Sequence, residues 1–80
     1  MRWVTNLKRL AKECKDGTYD FLSEFDEKMC YEYYEEQYLM NEEEFTFKES
    51  ETIEKALKTL EEAIKNKYPD IELKTIFERR

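Results

Sequence analysis

Residues Asp16–Glu44, DGTYDFLSEFDEKMCYEYYEEQYLMNEEE, decide how this 80-residue chain is read. They carry eleven carboxylates against one cation, Lys28, and seven of the chain's twelve aromatic side chains. Upstream, residues 1–15 hold five cations and one acid; downstream, residues 45–80 hold eight of each. The local balances are +4, −10 and 0, so the whole of the net −6 sits in one continuous piece. A charge asymmetry of this kind speaks about partners rather than about fold.

Two secondary structures compete for this stretch. Read as strands, Tyr19, Phe21 and Phe25 alternate with polar neighbours, Asp26–Glu27 turn the chain, and Met29, Tyr31 and Tyr33 share the next face. A second turn near Asn41–Glu42 then leads to Phe45 and Phe47, and aromatic residues at this density favour strands. The alternative is a helix over residues 23–40, with Ser23 and Asp26 placed as a capping box and Glu24 and Glu27 in the first turn. Phe25, Met29 and Tyr33 would share a helical face, but the following turn offers Glu36 and Gln37 where an apolar residue is wanted. The expectation is therefore strands.

Outward from this stretch the pattern is simpler. Trp3, Leu7, Leu10, Ala11 and Cys14 fall at helical spacing, predicting a helix over 2–15 that stops at Gly17. Ser50 is a candidate N-cap for a second helix running to Asn66. Its buried stripe would be Ile53, Ala56, Leu57, Leu60, Ala63 and Ile64, and Glu51–Lys55, Glu54–Lys58 and Glu61–Lys65 would pair along its outer side. Pro69 breaks that helix, after which Ile71, Leu73, Thr75 and Phe77 alternate as a last strand. The predicted fold is a small α+β domain over residues 1–80 without a linker, in the order α-β-β-β-α-β. Its two helices would cover one face of an antiparallel sheet of three to four strands.

The residue inventory narrows the chemistry. There is no histidine, and the two serines, Ser23 and Ser50, read as caps or turn residues. One glycine cannot build a phosphate-cradling loop. Cys14 and Cys30 make no disulfide framework and lack the companions of a zinc site, so they are expected as reduced, half-buried thiols. No apolar run reaches the length of a membrane span, and a cytoplasmic location is expected, in the host cell if the chain is phage-encoded. An enzyme, a cofactor and a bound metal are not expected.

The acidic stretch is the remaining candidate for function. A solubilising surface would interleave lysines among its acids, as residues 50–66 do; residues 16–44 carry almost none. If residues 28–48 formed a hairpin with an arm of about 40 Å, the net −10 of residues 16–44 set over that length would be about one charge per 4 Å, against about one per 1.7 Å of duplex axis. That is a partial imitation of nucleic acid. Tyrosine is a favoured interface anchor, and on strands Tyr34 and Tyr38 would share a face with Glu32 and Glu36. The candidate partner-binding residues are Glu32, Tyr34, Glu35, Glu36, Tyr38, Glu42, Glu43 and Glu44. The expected partner is a basic surface of a nucleic-acid-binding protein or complex, with neither nucleic acid nor membrane bound directly. In size, acidity and lack of reactive groups the chain resembles the small inhibitors of phages and mobile elements, such as anti-CRISPR and anti-restriction proteins. That resemblance is one of composition, and it implies inhibition by occlusion. The alternative function is self-association into an assembly, with the acidic face serving solubility alone.

Overall fold

The computed structural model describes residues 2–73 and 75. Its first helix, α1, spans Arg2–Asp16 and buries Trp3, Leu7 and Ala11. It ends as Gly17 requires. Gly17 takes φ +75°, its N–H donates to the Cys14 carbonyl at 3.4 Å, and the Thr18 N–H donates to the Glu13 carbonyl at 3.0 Å. These two bonds satisfy carbonyls that the helix end leaves open, in the arrangement of a Schellman motif.

The acidic stretch is helical, which corrects the expected sheet. Helix α2 spans Glu24–Asn41, and no strand occurs among the described residues. The α-β-β-β-α-β order is replaced by three helices, with a single 3-10 turn at Glu42–Glu44 between the second and third. The physical reason lies in what residues 24–41 lack: they contain no glycine, no proline and no β-branched side chain. Glutamate, methionine, leucine, lysine and glutamine dominate the spaces between the tyrosines, and these residues lose little freedom in a helix. Ser23 caps the start, its side-chain oxygen accepting the Asp26 N–H at 3.2 Å, and Glu24, Asp26 and Glu27 lie at the positive end of the helix dipole. Strand preference of tyrosine and phenylalanine is largely a packing preference, and here it is outweighed.

Helix α3 spans Phe47–Lys67, beginning one turn before the expected Ser50. Its true cap is Thr46. The Thr46 hydroxyl accepts the Glu49 N–H at 3.2 Å while Glu49 accepts the Thr46 N–H at 3.0 Å, a complete capping box. The expected stripe is found with one exchange: Ile53, Ala56, Leu57, Leu60 and Ile64 are buried, Ala63 is half-buried and Glu61 is buried in its stead. Glu51–Lys55 and Glu61–Lys65 pair at 3.2 and 3.5 Å.

After Pro69, residues 71–73 and 75 form no strand, although Leu73 and Thr75 are buried against the bundle. Ile76 and Phe77, the remainder of the expected last strand, lie outside the described residues.

One core runs through the three helices. It joins Trp3, Leu7 and Ala11 of α1 to Tyr31, Tyr34 and Tyr38 of α2 and to the α3 stripe. Leu7, Ile53, Leu57, Leu60 and Ile64 are almost completely withdrawn from solvent, each contributing about 1.5–3 kcal/mol of burial. Phe45 closes one end, edge-on to Trp3 at 5.9 Å and stacked on Tyr38 at 6.2 Å. At another point the Tyr68 hydroxyl donates to the Leu22 carbonyl, tying the end of α3 to the loop between α1 and α2.

Candidate protein-binding face

Helix α2 is two-faced. Glu27, Tyr31, Tyr34 and Tyr38 recur at helical spacing and are buried, with Glu35 beside them. Phe25, Met29, Tyr33 and Met40 recur at the same spacing and are exposed. At 100° per residue the two sets are centred about 180° apart. The inward face thus carries tyrosines and two carboxylates, and the outward face carries the more apolar side chains.

The inward polar groups are held by specific bonds. Glu27, fully buried, accepts the Tyr19 hydroxyl at 2.6 Å on one oxygen and the Leu22 N–H at 3.3 Å on the other. The Tyr38 hydroxyl donates to Glu54 at 2.7 Å. Burial, then the bond to Glu54, pushes the Tyr38 hydroxyl up to about 12. Glu61 meets Lys58 and Lys65, each at 3.5 Å. The Tyr31 hydroxyl, the second Glu61 oxygen and the Thr75 hydroxyl are buried without a hydrogen-bond partner among the described residues. Burial chiefly, and then the charge of Glu35, raises the Tyr31 hydroxyl above its ordinary range.

This geometry divides the residues expected to bind a partner. Glu36, Glu42, Glu43 and Glu44 are exposed and Glu32 is half-exposed, so these five can reach a partner. Tyr34, Tyr38 and Glu35 are buried, the tyrosines as parts of the core. A strand would have put Tyr34 and Tyr38 on the face of Glu32 and Glu36; a helix turns them away. The outward aromatic is Tyr33, whose ring packs edge-on to Tyr34 at 5.2 Å. Phe25, Met29 and Met40 join it and were not among the expected residues. Their signal was present as a second helical stripe, but an apolar stripe is ordinarily read as core.

The other features of the surface add little chemistry. Cys14 and Cys30 are free and half-buried, as expected. Burial first, and then the charge of Glu27, raises both thiols to about 11, so at neutral pH they stay protonated and are poor nucleophiles. No group of three or more metal-ligating side chains is assembled among the described residues. No helix among them is long and apolar enough to cross a membrane. An open groove of about 700 Å³ lies beside α3, lined by Tyr38, Glu42, Phe47, Glu51, Glu54 and Lys58 among others. The basic side chains Lys8, Lys12 and Lys15 of α1 border a different groove, shared with Lys55. Lys55 lines both grooves and pairs with Glu51.

Comparison with protein-family models, curated proteins and solved structures finds no match to this chain.

Proposed function

We propose that this protein is a non-enzymatic binding module that covers a basic surface of a partner, acting by occlusion in the cytoplasm. The partner class that fits is a protein or complex that handles nucleic acid. The observation that carries this reading is the exposed surface of α2 and of the turn after it. Glu24, Asp26, Glu36, Glu42, Glu43 and Glu44 are exposed there, with Glu32 half-exposed and Lys28 the single cation. From Glu24 to Glu44 the chain rises about 30 Å at helical pitch, which spaces the net charge at roughly one per 5 Å. This is sparser than duplex DNA, at about one per 1.7 Å. Burial of Glu27 and Glu35 accounts for the dilution relative to the sequence alone. The face supports competition for a basic groove and on-rate steering more than a full imitation of duplex geometry.

Replacing Glu36, Glu42, Glu43 and Glu44 with lysine tests the reading, because all four are exposed and none holds a core bond. Immobilised wild-type protein should retain a nucleic-acid-handling protein at low salt, release it along a salt gradient, and lose it to competing DNA or RNA. The reversed variant should retain none. Equal retention by a folded charge-reversed variant would refute the reading. A second reading, self-assembly, draws support from the exposed Phe25, Met29 and Met40. It differs in its response to salt, since apolar association does not weaken as salt rises.

A further inference from the structure

We infer that the solvent face of α2 is a docking ridge for a cationic amphipathic helix of the partner. This rests on the reading that the partner is basic, and it adds the shape and the apolar chemistry of what binds. Phe25, Met29, Tyr33 and Met40 are 69, 51, 52 and 70% exposed, and Glu36 falls in line with them. From residue 25 to residue 40 the ridge is about 22 Å long, four turns of helix.

At roughly 200 Å² per large side chain the four expose about 500 Å² of mostly apolar surface. That lies in the upper half of the ordinary range of about 300–600 Å² for the largest patch on a monomer, on a protein whose whole accessible surface is 5602 Å². One partner's share of a standard interface is about 800 Å², slightly more than half of it non-polar. The ridge supplies that apolar core, and the carboxylates beside it supply the rim. Tyr33 is ordered in advance by its edge contact with Tyr34, which lowers the entropy lost on binding. The unbranched methionines adapt to whatever side chains meet them.

Charge selects the occupant. By helical angle Glu32 lies along one margin of the ridge and Asp26 along the other, with Glu36 on its crest. A second copy of this chain docked through a two-fold axis would set these carboxylates against themselves, which is strongly unfavourable. A helix with apolar residues at i, i+3/i+4 and i+7 and Lys or Arg on both flanks meets the apolar crest and the acidic margins at once. A straight, narrow ridge of this length suits a single helix packed along it.

The test uses the full chain and a synthetic helical peptide of about 18 residues, some 27 Å long. The peptide carries a leucine stripe flanked by lysine and arginine. An acid-flanked peptide with the same stripe and a scrambled basic peptide serve as comparisons. Titration followed by backbone and methionine-methyl NMR should show saturable binding of the basic amphipathic peptide alone, with shifts confined to α2's outward face. Phe25→Gln, Met29→Gln and Met40→Gln together should weaken it at least about tenfold. These side chains are exposed, so the variant keeps its fold, which circular dichroism verifies. Asp26→Asn, Glu32→Gln and Glu36→Gln should weaken it several-fold and flatten its salt dependence.

The outcomes separate. If the glutamine ridge variant binds as wild type while the charge variant does not, the ridge is refuted and the acidic-face reading stands. If the charge variant binds as wild type while the ridge variant does not, the basic character of the partner is refuted. Equal binding of the scrambled or acid-flanked peptide overturns the inference, as does no saturable binding. So does a dimer in sedimentation that Met29→Gln abolishes, since the occupant is then a second copy.

Discussion

Removing one hydroxyl, in Tyr19→Phe, probes the least ordinary feature of the core. Glu27 is a fully buried carboxylate without an ion pair among the described residues. Among the described residues the Tyr19 hydroxyl, at 2.6 Å, and the Leu22 N–H, at 3.3 Å, are its hydrogen-bond donors. Phenylalanine keeps the ring and its edge contact with Phe21 at 4.7 Å, so packing is conserved and only the bond is lost. A hydrogen bond to a charged group contributes about 1.5–3 kcal/mol, and the carboxylate left behind is buried. About 2 kcal/mol of stability should disappear, which lowers Tm by roughly 8–16 °C in a domain of this size. Urea unfolding followed by far-UV circular dichroism and Trp3 fluorescence measures it. Tyr33→Phe is the comparison, since that side chain is half exposed and should change stability by less than about 0.5 kcal/mol. In a Glu27→Gln background the cost of Tyr19→Phe should shrink, because the charge that needed the bond is gone. Equal effects of Tyr19→Phe and Tyr33→Phe, or an unchanged cost in the Glu27→Gln background, would refute the reasoning.

Three further predictions concern the helix ends and alkaline pH. Thr46→Ala removes half of the capping box and should cost about 1 kcal/mol. Gly17→Ala should cost a similar amount, about 1–2 kcal/mol, solely through φ +75°, since an added Cβ meets nothing within 4 Å. Both are read from the same urea transitions, and a neutral Gly17→Ala would contradict the left-handed stop. On the alkaline side, burial and then Glu27 raise Cys14 and Cys30 from 9.0 to about 11. Tyr38 rises to about 12, through burial and its bond to Glu54, and Tyr19 and Tyr31 also move up. Such groups keep their protons in the native chain after the unfolded chain has released them, so unfolding gains as pH rises. Stability should be level from about pH 7 to about pH 8.5, and fall from there through the raised values. Alanine at both cysteines should delay the onset toward pH 10, where the unfolded tyrosines ionise. A urea midpoint unchanged between about pH 8 and 11 would contradict this.

Much of the helical architecture is written locally. The α1 stripe from Trp3 to Cys14 and its stop at Gly17 depend on residues within a few turns of one another, and so does the α3 stripe from Ile53 to Ile64. The strands expected over Tyr19–Tyr33 and Phe45–Lys48 show where local reading misleads. Aromatic density suggested a sheet, while the absence of glycine, proline and β-branched residues from 24 to 41 and the Ser23 cap favoured a helix. The residues expected to bind a partner divided for the same reason. Glu32, Glu36 and Glu42–Glu44 are accessible in either structure, whereas the accessibility of Tyr34 and Tyr38 depends on whether successive side chains turn by about 180° or by about 100°.

Charge distribution belongs to the sequence alone: the −10 of residues 16–44 is present in any fold. The sequence also determines the stop of α1 at Gly17 and, apart from the exchange of Ala63 for Glu61, the inward stripe of α3. Which side of α2 faces the core was decided only by the tertiary structure. Both sides have helical periodicity, and transfer free energy by itself would bury Phe25, Met29 and Met40. Tyr31, Tyr34, Tyr38 and Glu27 go inside instead, where the bundle supplies Glu54 for the Tyr38 hydroxyl and Tyr19 with the Leu22 N–H for the Glu27 carboxylate. Those partners lie on other elements of the chain, so no window of α2 reveals them.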